Sequence, residues 1–98
     1  MELRYASNEL ERRCTDDRYM QRKLGVQVAK SLQLRLTELR RASKPADLLL
    51  GMGKWEALTQ DRSGQWSAHL TKNWRLIVEP EDNNVIVLVI EIKDYHKR

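Results

Sequence analysis

The chain has 98 residues, enough for one domain spanning 1–98, with a modest core and a large surface for its volume. Hydrophobic residues make up 41% and charged residues 33%, too apolar for a disordered chain, and no run of about eighteen apolar residues is present to span a bilayer. The net charge of +4 is uneven: residues 1–54 hold twelve Lys/Arg against seven Asp/Glu, residues 55–98 six against seven, so the first half suits an anionic partner such as nucleic acid or an acidic protein segment. A single cysteine, Cys14, and two histidines exclude a disulfide framework and a zinc cluster, and fit a reducing cytoplasm. Residues 1–5 carry no apolar stretch of the kind that opens a secretory signal.

In chain order, residues 2–6 read as a short strand, with Leu3 and Tyr5 alternating against Glu2 and Arg4. Ser7 or Asn8 offers an N-cap, and Glu9 and Glu11 favour the positive end of a helix over 8–14. The basic stretch 18–23 leads to Gly25. From 26 to 42, Val28, Ala29, Leu32, Leu36 and Leu39 form one apolar stripe at the helical period, with Leu34 on the opposite face. Pro45 opens a short helical turn that ends at Gly51 and Gly53.

Beyond Gly53 the period becomes alternating. Residues 55–58, 65–70, 74–79 and 85–92 read as strands, with a turn at 61–64 in which Gly64 takes a positive φ. Pro80 stops the third of these, and the nearly continuous β-branched run 85–92 reads as a central strand buried on both faces. The expected fold is α+β: a small twisted antiparallel sheet with the N-terminal helices packed on one face. The core is expected where the helical stripe meets Trp66, Trp74, Leu76, Val87 and Val89.

No glycine-rich phosphate loop and no serine nucleophile elbow is present. Cys14 lies in a charged helical segment and reads as inert. Asp94-Tyr95-His96 follows the most apolar strand. A carboxylate, a phenol and an imidazole together can move protons near neutral pH; a solvated polar tail is the plainer reading of the same residues. Arg75 sits in a strand between Trp74 and Leu76, so its guanidinium must reach solvent or an anion: a phosphate, or a carboxylate from Glu79, Glu91 or Asp94. Arg62 has Asp61 beside it as a partner. Trp55 is open to a role as a stacking face for bases.

The segment 58–75, LTQDRSGQWSAHLTKNWR, and the ending DYHKR resemble the HigB-type toxins of plasmid and chromosomal toxin–antitoxin systems, in the RelE/ParE superfamily. The resemblance rests on Asp61, Arg62, Gly64, Trp66 and Ser67, then Trp74-Arg75, then Asp94-Tyr95-His96. It implies a microbial-RNase-like fold and a cytoplasmic toxin that cleaves mRNA during translation on the 70S ribosome. It also implies neutralisation by a HigA-like helix-turn-helix antitoxin, through which alone operator DNA is contacted, and neither a membrane nor a cofactor or metal.

By the same resemblance His96 is the proton-transfer residue, Asp94 orients it or acts as base, Arg75 stabilises the phosphate, and Tyr95 stacks or hydrogen-bonds near the scissile nucleotide. Arg62, Lys54, Trp55 and Lys72 are the expected RNA-binding residues. The chain departs from the family's hairpin at Thr59 and Gln60, where lysine and glycine are common, so Lys54 or Lys72 must supply the cation beside the phosphate. Two alternatives share the fold: a ParE-like toxin that inhibits DNA gyrase, and a degenerate antitoxin-binding module without catalysis.

Overall fold

The computed structural model describes residues 1–81, 83 and 85–95. Strand β1 (Glu2–Tyr5) leads into helix α1 (Asn8–Thr15), where the Leu10 N–H donates to Ser7 Oγ at 3.1 Å, the expected N-cap. Residues 17–24, read above as a basic connector, form a second helix, α2 (Asp17–Leu24). Asp16 both ends α1 and caps α2 by accepting the Tyr19 N–H at 3.1 Å. The apolar face of α2 is only Tyr19, Met20 and Leu24, too short for the periodicity to stand out, yet Met20 is fully buried. Gly25, at φ 84°, breaks the chain between α2 and α3 (Val26–Arg41) in a conformation that costs other residues dearly. The Met1 ammonium donates to the carbonyls of Leu39, Arg40 and Ala42 at the end of α3, where positive charge suits the helix dipole. A 3-10 turn follows at Pro45–Leu50.

The strands are β2 (Glu56–Ala57), β3 (Trp66–His69), β4 (Trp74–Glu81) and β5 (Ile86–Asp94), in one sheet of order β1-β5-β4-β3-β2. Neighbours pair antiparallel except β1, which lies parallel to β5 with Leu3 opposite Val87. The α+β class is as expected. The parallel edge arises because everything between β1 and β5 intervenes, so no hairpin fixes their direction.

Three strand expectations are corrected. The strand over 55–58 shrinks to two residues, because the chain turns at Gln60 (φ 57°) into a 3-10 turn at Gln60–Arg62. Pro80 does not stop β4, which runs to Glu81. β3 ends opposite Val78, so from Glu79 onward β4 has a neighbour on the β5 side alone, where a missing N–H is tolerated. β5 is an interior strand between β1 and β4, as expected, but only one of its faces is fully buried: Val87 and Val89 are at 0% exposure while Leu88 and Ile90 are half-buried.

A bulge sits in the β4–β5 ladder: Ile77 faces Glu91 while the next residue, Val78, faces Val89, leaving Ile90 as the extra residue. The bulge moves the helix-facing set from Val87 and Val89 to Ile92 and Asp94. The core forms where the α3 stripe meets Ala68, Leu76, Val78, Val87 and Val89, joined by Leu10, Cys14, Met20, Leu48 and Trp55; Trp66 and Trp74 pack on its rim, half-buried. Burying one such leucine contributes on the order of 1.5–3 kcal/mol. No helix among the described residues is long and apolar enough to cross a membrane.

Candidate functional site

The helices cover the sheet face that carries Trp74, Leu76 and Val78. The other face is set by the strand registers. His69 on β3, Arg75 on β4 and Lys93 on β5 stand opposite one another in one row, and Glu56, Ser67, Ile77 and Glu91 make up the next. Directly opposed residues of antiparallel strands have Cα atoms about 4.5–5.5 Å apart, so each row is a line of neighbouring side chains.

Arg75 is the centre of the first row. One of its amines, Nη1, donates to the carbonyls of Thr71, Lys72 and Trp74, each at 3.0 Å, which ties the head group to the β3–β4 turn. The guanidinium carbon lies 5.5 Å from the centre of the Tyr95 ring, and the Lys93 ammonium 5.4 Å from the same ring. The carboxylate partners considered for Arg75 are thus replaced by backbone oxygens and an aromatic face. The guanidinium keeps its full positive charge on a half-exposed sheet surface, in a position to meet an external anion.

Tyr95 therefore joins Arg75 as expected. Asp94 does not: it stands opposite Trp74, on the helix-facing side of the sheet. Asp94 has an interaction partner of its own. His96 lies outside the described residues.

Arg62 is engaged already. Its Nη2 donates to Glu91 and its Nη1 to Gln65 at 2.8 Å, while Gln65 Nε2 reaches Glu79 at 3.5 Å. Arg62 precedes β3 and Glu91 is on β5, so this pair straps the loop across the middle strand. That explains why Ser67 and Ile77, on the helix-free face, are buried at 2% and 0% exposure. Asp61, the neighbour considered as partner, is not the one used.

Trp55 is a correction. It is buried, and its indole N–H donates to Glu38 on α3 at 3.2 Å, so its faces belong to the core rather than to a stacking surface. Lys54 and Lys72 line, with Arg35, Met52, His69, Leu70 and Thr71, an open cleft of about 480 Å³ at the end of the sheet beside Arg75. Lys54 holds a left-handed backbone, φ 51°.

Two residues of this face escaped the sequence reading: His69 and Glu56. Both look unremarkable in an alternating strand; the register sets His69 opposite Arg75 and Glu56 one strand further out, opposite Ser67 in the next row. Partial burial, then the Arg75 and Lys54 charges, lower the His69 pKa from its ordinary value, with Glu56 opposing. Cys14 is buried in the core, which pushes its thiol up to about 12 and leaves it inert, as expected. Among the described residues no cluster of His, Cys, Asp or Glu has a metal-binding arrangement.

Residues 14–96 match the model of the YoeB-like toxins of bacterial type II toxin–antitoxin systems. The chain belongs to this family. The YoeB-like assignment falls in the RelE/ParE-type superfamily expected from the motifs. Solved structures agree in fold across nearly the whole chain. The YoeB/ParE toxin from Agrobacterium tumefaciens superposes with a TM-score of 0.68 at 19% identity, covering 96% of this chain and 98% of that one. The YoeB–YefM complex from Staphylococcus aureus gives 0.66 at 22% identity, with 95% and 94% covered. YafQ from E. coli strain BL21(DE3) gives 0.65 at 19% identity, with 97% and 93% covered. No curated protein matches the chain in sequence. The YoeB-like fold thus presents its Arg75 face on the side of the sheet that the helices leave bare.

Proposed function

We propose that this YoeB-like toxin is an endoribonuclease that cleaves mRNA as it is translated on the 70S ribosome, acting in the cytoplasm and neutralised by a cognate antitoxin. The observation that carries the reading is the pairing of Arg75 with the Tyr95 ring on the helix-free face, in a chain of this family. A guanidinium and an aromatic ring side by side suit one nucleotide: the cation takes the phosphate and the ring stacks on the base.

The cleavage route needs no metal. The 2′-hydroxyl attacks the adjacent phosphorus, the bond to the 5′-oxygen breaks, and a 2′,3′-cyclic phosphate and a 5′-hydroxyl result. Arg75 stabilises the charge that gathers on the phosphate oxygens. His96 gives the proton to the leaving oxygen, with Asp94 orienting it. Asp94 lies on the far side of the sheet from Arg75, so we assign the proton of the 2′-hydroxyl to Glu56. Glu91 and Glu79 share the Arg75 side, but Arg62 and Gln65 engage them. Lys54 and Lys72 hold the flanking backbone. Arg62 contributes there on exchanging its carboxylate partner for a phosphate.

The DR-x-G-x-W-S element, the Trp74-Arg75 pair and the DYH ending support a HigB-like variant within the superfamily. Its antitoxin is then a HigA-like helix-turn-helix protein, and operator DNA is reached through that protein alone. Purified toxin, freed of antitoxin, is to be assayed for mRNA cleavage on translating ribosomes beside a gyrase supercoiling assay. Ribosome-dependent cleavage that leaves 2′,3′-cyclic phosphate ends supports the reading. Gyrase inhibition without cleavage, or neither effect, replaces it with the ParE-like or the inactive alternative.

A further inference from the structure

The cleft beside Arg75 joins Lys54 and Lys72, already given to the flanking backbone, with Arg35 and His69, which the cleavage chemistry does not use. Four nitrogen-bearing side chains come to it from four places: Arg35 from α3, Lys54 from the loop before β2, His69 from β3 and Lys72 from the β3–β4 turn. Arg35 is nearly buried, with its side chain 12% exposed. Its Nε lies 2.8 Å from Glu38 Oε1 but makes no aligned hydrogen bond there. Glu38 is also the acceptor for the Trp55 indole and for the Met52 N–H. That carboxylate is shared three ways and offsets the Arg35 charge; among the described residues Lys54 and Lys72 make no salt bridge. His69 stands directly opposite Arg75 in the ladder, so the cleft begins one strand spacing from the guanidinium.

We propose that this cleft is a second phosphate-binding subsite, which seats the RNA backbone phosphate next to the one held by Arg75, and that His69 takes up a proton when that phosphate binds. The proposal rests on the endoribonuclease reading for its ligand and deepens it.

The coupling follows from the charges around the imidazole. Partial burial, then the Arg75 and Lys54 charges, disfavour a positive charge on His69, with Glu56 opposing; Lys72 and Arg35 line the same cleft. His69 titrates below its ordinary value accordingly, so it is largely neutral at pH 7. A phosphodiester placed among these cations cancels their field and offers the imidazolium an acceptor. The bound state therefore holds more protons at His69 than the free state, and affinity must rise as pH falls. A coupling of one pKa unit is tenfold in affinity.

The test is binding of the full chain to a short, fully 2′-O-methylated RNA, which cannot be cleaved by 2′-hydroxyl attack. Affinity is read by fluorescence anisotropy at pH 6 and pH 8 at constant ionic strength. The wild type is expected to bind roughly three- to tenfold more tightly at pH 6. His69→Gln should lose most of that difference, and His69→Arg should bind tightly at both pH values. In a parallel NMR titration with inorganic phosphate, the His69 ring pKa should rise.

A wild-type affinity that does not change with pH overturns the proposal. So does a pH dependence that His69→Gln retains, which would move the proton to His96, or a His69 ring unmoved by phosphate. None of these readouts requires cleavage. Coupled binding by a chain that fails to cut mRNA on ribosomes refutes the nuclease reading alone, and cleavage without coupling refutes the subsite alone.

Discussion

Leu34 and Leu36 lie two residues apart on α3 and test the packing of this fold against each other. Leu36 is 1% exposed and belongs to the core, whereas Leu34 is 53% exposed on the other side of the helix. Replacing either with alanine changes local helix propensity equally, so the difference between the two variants isolates burial. Leu36→Ala removes a buried side chain and leaves a hole between α3 and the sheet, at a cost of about 2–5 kcal/mol. Leu34→Ala should stay within about 0.5 kcal/mol of the wild type. A domain of this size has a total stability of about 5–15 kcal/mol, so the first change removes a large share of it. Near the melting midpoint each kcal/mol shifts Tm by about 4–8 °C, which predicts a fall of at least about 8 °C for Leu36→Ala. Urea unfolding followed by tryptophan fluorescence, with thermal melts beside it, measures both variants. Equal losses, or a loss under about 0.5 kcal/mol for Leu36→Ala, would refute the placement of the stripe.

Cys14 should resist iodoacetamide in the folded chain at pH 8 and react at least about a hundredfold faster in denaturant, as mass spectrometry of timed aliquots can show, because burial holds its thiol near 12. His69 has a folded-state pKa below its unfolded one, so the unfolded chain takes up that proton first as pH falls. The associated stability is complete above the ordinary histidine value of about 6.5 and is lost as pH drops through the folded pKa. Unfolding curves across that window should be flatter with pH in His69→Gln than in the wild type. Reversing the charges at Arg40 and Arg41, at the end of α3 in the basic half, should weaken ribosome binding and reduce its salt dependence; unchanged pelleting with ribosomes would take that surface out of the contact.

The long helix and the alternating strands were legible because their apolar periods persist for several turns or pairs. The stripe from Val28 to Leu39 needs no tertiary information to be seen. α2 was not legible, because two turns show only three apolar residues and the decisive signal was the Asp16 cap. Pro80 misled because whether a proline breaks a strand depends on which side has a neighbour, which a single strand does not reveal. The site divides in the same way. Arg75 and Tyr95 are flagged by residue type and motif. His69 becomes a neighbour of Arg75, and Glu56 joins the same face, only through cross-strand register, and Arg62 meets Glu91 across 29 positions of sequence. Trp55 was open to a stacking role by residue type alone; the Glu38 carboxylate that draws it inward lies in another element.

The central claim is that the helix-free face around Arg75 cuts RNA. Single-turnover cleavage of ribosome-bound mRNA by the wild type and by Arg75→Ala tests it most directly. Because Arg75 also ties down the β3–β4 turn, both proteins must first show the same circular dichroism and the same pelleting with ribosomes. The account predicts that the variant binds ribosomes and loses roughly a hundredfold or more in rate, the scale of one electrostatic contact to a transition state. A folded, ribosome-bound Arg75→Ala protein that cuts at the wild-type rate would contradict it.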